Sequence, residues 1–158
     1  MTEVNMTDSK VKDNFVTIFS QLFSYLNIEN KFMCEVPEST LNSVAEYSVL
    51  IGVNGSYEGN FMFGFTKETA LEIAAALIGT KNINKVNFNV QAALADLFFD
   101  YAQRVVNLSN LSNDILLSSP TFVTGASMKA LISKVPAINF FCKVKGDKFS
   151  ISYYLQKL

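Results

Sequence analysis

The chain contains no histidine. That absence removes a Ser-His-Asp triad, a Cys-His pair and every His-ligated zinc site. Its two cysteines, Cys34 and Cys142, stand far apart in apolar contexts. They are too few for a structural zinc site and read as reduced, buried thiols of a cytosolic protein rather than as a disulfide. The seven glycines are scattered, so no Gly-rich loop is available to cradle a phosphate. Charge is balanced: 13 Lys and Arg against 14 Asp and Glu leave no basic block or stripe for nucleic acid. No apolar run reaches membrane-spanning length, and no secretory apolar region follows MTEVNMTDSK, so a cytoplasmic chain without a membrane partner is expected. Any chemistry must come from carboxylates, amides and hydroxyls, or from a partner.

What remains is rich in apolar residues. Nearly half of the 158 residues are hydrophobic and 14 are Phe, enough for one domain with a core of its own. Residues 1–10 are polar and aperiodic, and read as a flexible N-terminus before a single domain over 11–158. From Val11 to Leu26, the residues Phe15, Ile18, Phe19, Leu22, Phe23 and Leu26 recur at helical steps. KFMCEV (31–36) reads as a short strand closed by Pro37. AEYSVLIGV, Asn54-Gly55 and SYEGNFMFGF read as an antiparallel hairpin, because Asn-Gly suits the left-handed angles of a tight turn. In its second strand Tyr57, Gly59, Phe61, Phe63 and Phe65 share a strongly apolar face.

A second helix begins at Thr66 or Lys67 and ends at Gly79. Thr66 is the better cap, and Gly79 suits the left-handed position that closes a helix. Asn87 or Asn89 caps a third helix running to about Leu108. SSPTFVTG reads as a short strand, and PAINFFCKV with FSISYYLQ as a second hairpin, bent at Gly146-Asp147. The expected class is α+β: a largely antiparallel sheet covered on one face by the helices of 67–79 and 88–108, with an N-terminal helix beside them.

The third helix carries AALADLFFDYAQ (92–103). At roughly 100° per residue, Val90, Leu94, Leu97, Phe98, Tyr101, Val105 and Leu108 fall on a sheet-facing side. Ala92, Asp96, Asp100, Gln103 and Asn107 fall opposite, toward water. Ala95, Phe99, Ala102 and Val106 form a stripe between the two. By spacing alone Phe99 reads as a core or helix–helix contact, and Asp96 and Asp100 read as solvated surface acids.

The order of elements and several strings resemble the CheC/CheX/FliY family of chemotaxis phosphatases, and most nearly its CheX-like branch. The likeness is carried by VLIGVNGSYEGNFMFGFTKETALEIAAALIG, by SPTFVTG and by the closing hairpin, over roughly 11–156. The resemblance implies a CheC-like fold and hydrolysis of an aspartyl phosphate on a CheY-like response-regulator receiver domain. It implies a helical signature, Asp/Ser-x3-Glu-x2-Asn, in which the acid binds a partner lysine and the Asn amide orients the attacking water. The Mg²⁺ belongs to the partner's acidic pocket, so no cofactor is expected in this chain. Here the signature falls on Ala92, Asp96 and Phe99. Asp96 reaches one methylene less far than Glu, and the phenyl ring of Phe99 can neither donate to nor accept from a water. Ser20-x3-Ser24-x2-Asn27 echoes the spacing without the acid and reads as chance.

Three functions stay open. The chain is a receiver-binding module that has lost phosphatase activity, with Ala92, Asp96, Phe99, Asp100 and Gln103 as contact face. It is alternatively a phosphatase using a divergent amide or another register of the helix, or a structural dimerisation domain. A homodimer is expected from the resemblance and from the apolar FSISYYL strand.

Overall fold

The computed structural model describes residues 3–38, 40–42, 46–111, 114–125, 129–131 and 137–158. Three helices, α1 (Glu3–Tyr25), α2 (Lys67–Ile78) and α3 (Phe88–Leu108), accompany nine strands. These are β1 (Asn30–Glu38), β2 (Thr40–Asn42), β3 (Tyr47–Asn54), β4 (Tyr57–Phe65), β5 (Leu116–Leu117), β6 (Thr121–Thr124), β7 (Lys129–Leu131), β8 (Ala137–Val144) and β9 (Asp147–Lys157). The main sheet runs β1-β8-β9-β4-β3-β5, with β6 also on β3, and every pairing is antiparallel. A separate β2–β7 ribbon lies against β4, β8 and β9. The α+β class expected from the element order is the class observed.

The topology repeats itself although the sequence shows no repeat. A helix, an edge strand, a ribbon strand and a hairpin occur in that order twice, as α1-β1-β2-β3-β4 and as α3-β6-β7-β8-β9. β4 and β9 pair at the centre, β2 and β7 pair with each other, and each edge strand pairs with the other half's hairpin. The arrangement is a pseudo-twofold about the β4–β9 seam.

The core fills the space between the sheet and the helices. Phe61, Phe63 and Phe65 of β4 meet Phe149, Ile151 and Tyr153 of β9 on the inner face, all nearly fully buried. Phe15, Phe19 and Phe23 descend from α1, and Phe98 and Tyr101 from α3. Phe15 stacks on Tyr153 with ring centroids 4.7 Å apart, and Phe98 stacks on Phe63 at 4.9 Å. The opposite face of β4 is also partly covered. Met62 and Ala137 are buried there with Leu50 and Tyr154 against them, and the Ser152 hydroxyl donates to Asn139.

Several expectations are corrected by tertiary context. α1 starts at Glu3, so residues 3–10 continue the helix ahead of the apolar period. Pro37 lies inside β1 rather than closing it; β1 is an edge strand, the place in a sheet where proline is tolerated. The first hairpin is wider than a two-residue turn. Its register pairs Val53 with Gly59, and Gly55, not Asn54, takes the positive φ of 109°. The second hairpin turns at Lys145-Gly146, both left-handed at φ 51° and 83°, one residue before Gly146-Asp147. Cys34 is exposed, whereas Cys142 is buried, and both are free thiols. Among the described residues no helix is long and apolar enough to cross a membrane.

Candidate functional site

Local chemistry fixes where α3 begins. The Asn87 side chain accepts from the N–H of Val90 at 3.0 Å, satisfying one of the free donors at the helix start. The inner face is then pinned by packing. Phe98 lies flat against Phe63 and Phe65, and the buried Tyr101 hydroxyl donates to the carbonyl of Phe15 in α1. Burial holds the Tyr101 phenol well above its ordinary range, so it remains a neutral donor. With that face locked to the sheet and to α1, the opposite face has one orientation.

The buried set is Val90, Leu94, Phe98, Tyr101, Ala102, Val105 and Val106. Relative to the sheet-facing side read from spacing, it is rotated toward the flank that carries Ala102 and Val106. Leu97 is only half-buried, and Leu108, in the same last turn as the buried Val105 and Val106, is 59% exposed. Asn14 of α1 donates to the Ser109 hydroxyl just past that turn, at 2.9 Å.

On the outer face Ala92 and Asp96 are exposed. Asp96 has no cation partner among the described residues. Asp100 is exposed too, but Arg104 reaches it from one turn away at 3.3 Å. Phe99 is half-buried and packs against the core, in keeping with the contact read from its spacing. Gln103 is half-buried, and its amide donates to Asn107 at 3.1 Å, directed toward the helix C-terminus. The five expected contact residues therefore lie together along one helix, with one free carboxylate among them.

Asp96 and Phe99 are separated by roughly 4.5 Å along the axis, near enough to act on one group, while Gln103 is roughly 10 Å from Asp96. A phenyl ring at the nearer position offers contact area and no hydrogen bond. Ser20 and Ser24 are exposed on α1, but Asn27 lies past the helix in a left-handed conformation at φ 60°. The echo of the signature in that region is therefore broken, with its last position off the helix. One exposed aromatic residue of α3 escaped the sequence reading: Phe88, at the first helical position and 80% exposed. It stands four residues before Ala92, and the choice between Asn87 and Asn89 as cap decides whether it belongs to the helix.

No protein-family model matches the chain. Among curated proteins, the CheY-P phosphatase CheX of Thermotoga maritima is 27% identical over 107 residues, covering 65% of this chain and 64% of its own length. Among solved structures, the chemotaxis protein CheX of Vibrio vulnificus superposes with a TM-score of 0.80 at 17% identity, over 92% of this chain and 99% of that one. A chain of the CheX–CheY–BeF3–Mg²⁺ complex of Borrelia burgdorferi superposes with a TM-score of 0.75 at 20% identity, over 94% of this chain and 97% of its own. The structural likeness is one of fold.

Proposed function

The chain is CheX-like in sequence and in fold, and from that premise we propose that it binds the receiver domain of a response regulator without hydrolysing its aspartyl phosphate. The Thermotoga relative is a CheY-P phosphatase, and the Borrelia structure joins a CheX to a CheY. This chain takes from them the class of partner and, with it, a cytoplasmic place in chemotaxis signalling. It does not take the activity.

The observation that carries the reading is Phe99. In the mechanism that the resemblance implies, a helix supplies an acid for a partner lysine and, three residues later, an amide for the attacking water. The catalysis is positioning and electrostatics, so a missing positioning group is not replaced by general polarity. Asp96 retains an exposed carboxylate with no cation of its own. Phe99 brings no polar atom. Gln103 is too far along the axis, and its amide is already donated to Asn107. Asp100 is already held by Arg104 and, as a carboxylate, offers no amide. What is left is an apolar contact with a charged rim, which suits an interface.

The test is calorimetric titration of beryllofluoride-activated, Mg²⁺-loaded receiver domains from the same organism. At least one should form a complex with the wild type, and Asp96→Ala should weaken that complex by roughly tenfold, as truncation at a charged contact does. Absence of binding to every receiver domain, or identical binding by Asp96→Ala, overturns the reading.

A further inference from the structure

Phe88 does nothing for the fold that a smaller residue would not do. It sits at the first position of α3, outside the core, while Asn87 alone supplies the cap. A single exposed aromatic is ordinary on a protein surface. This one is in line with others. Ala92, Asp96 and Phe99 follow it at four, eight and eleven residues, and eleven residues complete about three turns. The two rings therefore stand on the same edge of the helix, roughly 16 Å apart along its axis, with the exposed Ala92 between them. Beside the start of α3, Ile78, 51% exposed at the end of α2, lines a shallow groove of about 260 Å³ whose other walls are mostly polar, among them Thr80, Asn82, Lys85 and Asn87.

The charge on this stripe is a single one. Arg104 compensates Asp100, so Asp96 alone faces outward uncompensated. A covering surface must then bring one cation bordered by apolar side chains. A second copy of this chain does not fit that description. Two stripes packed antiparallel, ring to ring, would set the Asp96 carboxylates roughly 7–8 Å apart along the axis with nothing between them to neutralise either.

We propose that the receiver-docking surface extends to the N-terminus of α3 and that Phe88 is its anchoring contact. The partner presents a lysine to Asp96 and an apolar rim that closes over the stripe from Phe88 to Phe99. This rests on the receiver-binding reading of α3 and adds to it the chemistry of the partner's surface. Aromatic side chains that become fully desolvated dominate the energetics of interfaces of this kind.

The experiment compares wild type, Phe88→Ala, Phe88→Leu, Asp96→Ala and Leu116→Ala. Leu116 is 70% exposed on β5 rather than on α3, and serves as the control for general stickiness. Each variant is titrated against the activated receiver domain, and thermal unfolding is recorded alongside. Phe88→Ala should leave the melting temperature unchanged and weaken binding about tenfold or more. Phe88→Leu should retain most of the affinity, and Leu116→Ala all of it. If Phe88→Ala binds like wild type while Asp96→Ala is weakened, the anchor is wrong and the receiver reading stands. If the wild type binds no receiver, both fall together. Equal losses in Phe88→Ala and Leu116→Ala, or a loss of self-association without loss of receiver binding, also overturn the anchor.

Discussion

Cys142 lies opposite Phe149 on the inner face of β8, and burial pushes its thiol up to about 12, with the neighbouring Cys34 adding to the rise. In the unfolded chain the same thiol ionises near its ordinary 9.0. Between those values the unfolded state holds fewer protons than the folded one, so stability is full below about pH 9 and falls as pH rises toward 12. Tyr101, raised by its own burial, pulls in the same direction at the alkaline end. Melting temperature should therefore decline above pH 9, and Cys142→Ala should flatten the first part of that slope; an unchanged slope contradicts the assignment. Under native conditions a thiol reagent should label exposed Cys34 and spare Cys142. Equal labelling would mean that β8 is not packed as described.

At the scale of elements, the two hairpin glycines look alike in sequence and differ in surroundings. Both have positive φ, 109° at Gly55 and 83° at Gly146. A Cβ on Gly55 would stand 1.8 Å from the carbonyl oxygen of Asp114, whereas one on Gly146 meets nothing within 4 Å. Gly55→Ala should cost at least about 1–3 kcal/mol, from strain and clash together, and Gly146→Ala only about 1 kcal/mol, from strain alone. Urea unfolding of the two variants checks the order, and equal losses would contradict it.

The same division separates what was legible. Thr66, Gly79 and Asn87 were readable as caps because a cap is decided within four residues. The β2–β7 ribbon, the burial of Ala102 and Val106 and the interior place of Pro37 depend on partners distant in sequence, and no local pattern announces them. Within the site, the exposure of Asp96 followed from the helical period. The half-burial of Phe99 depends on what packs beside α3, and Phe88 hung on which asparagine capped the helix.

Taken as a whole, the molecule places its terminal hairpin where no second copy can reach its edges. β9 lies between β8 and β4, and its Phe149, Ile151 and Tyr153 are consumed by the core. β8 is covered by β1, an edge strand broken by a bulge between Phe32 and Cys34 and by Pro37, devices that discourage edge-to-edge pairing. A homodimer, proposed from the family resemblance, must then form through a surface other than the edges of FSISYYL. Light scattering at high micromolar concentration should give the mass of two chains, and the mass of one chain throughout contradicts it. The central claim concerns what the whole surface does to a phosphorylated partner. Its most direct measurement is the decay of the aspartyl phosphate on a receiver domain, alone and with this chain in excess. The wild type should bind and leave the decay rate unchanged. Asp96→Glu with Phe99→Asn should accelerate it, since a restored positioning group is worth on the order of 3–5 kcal/mol. Decay accelerated by the wild type, and returned to the receiver's own rate by Asp96→Ala, would contradict the account.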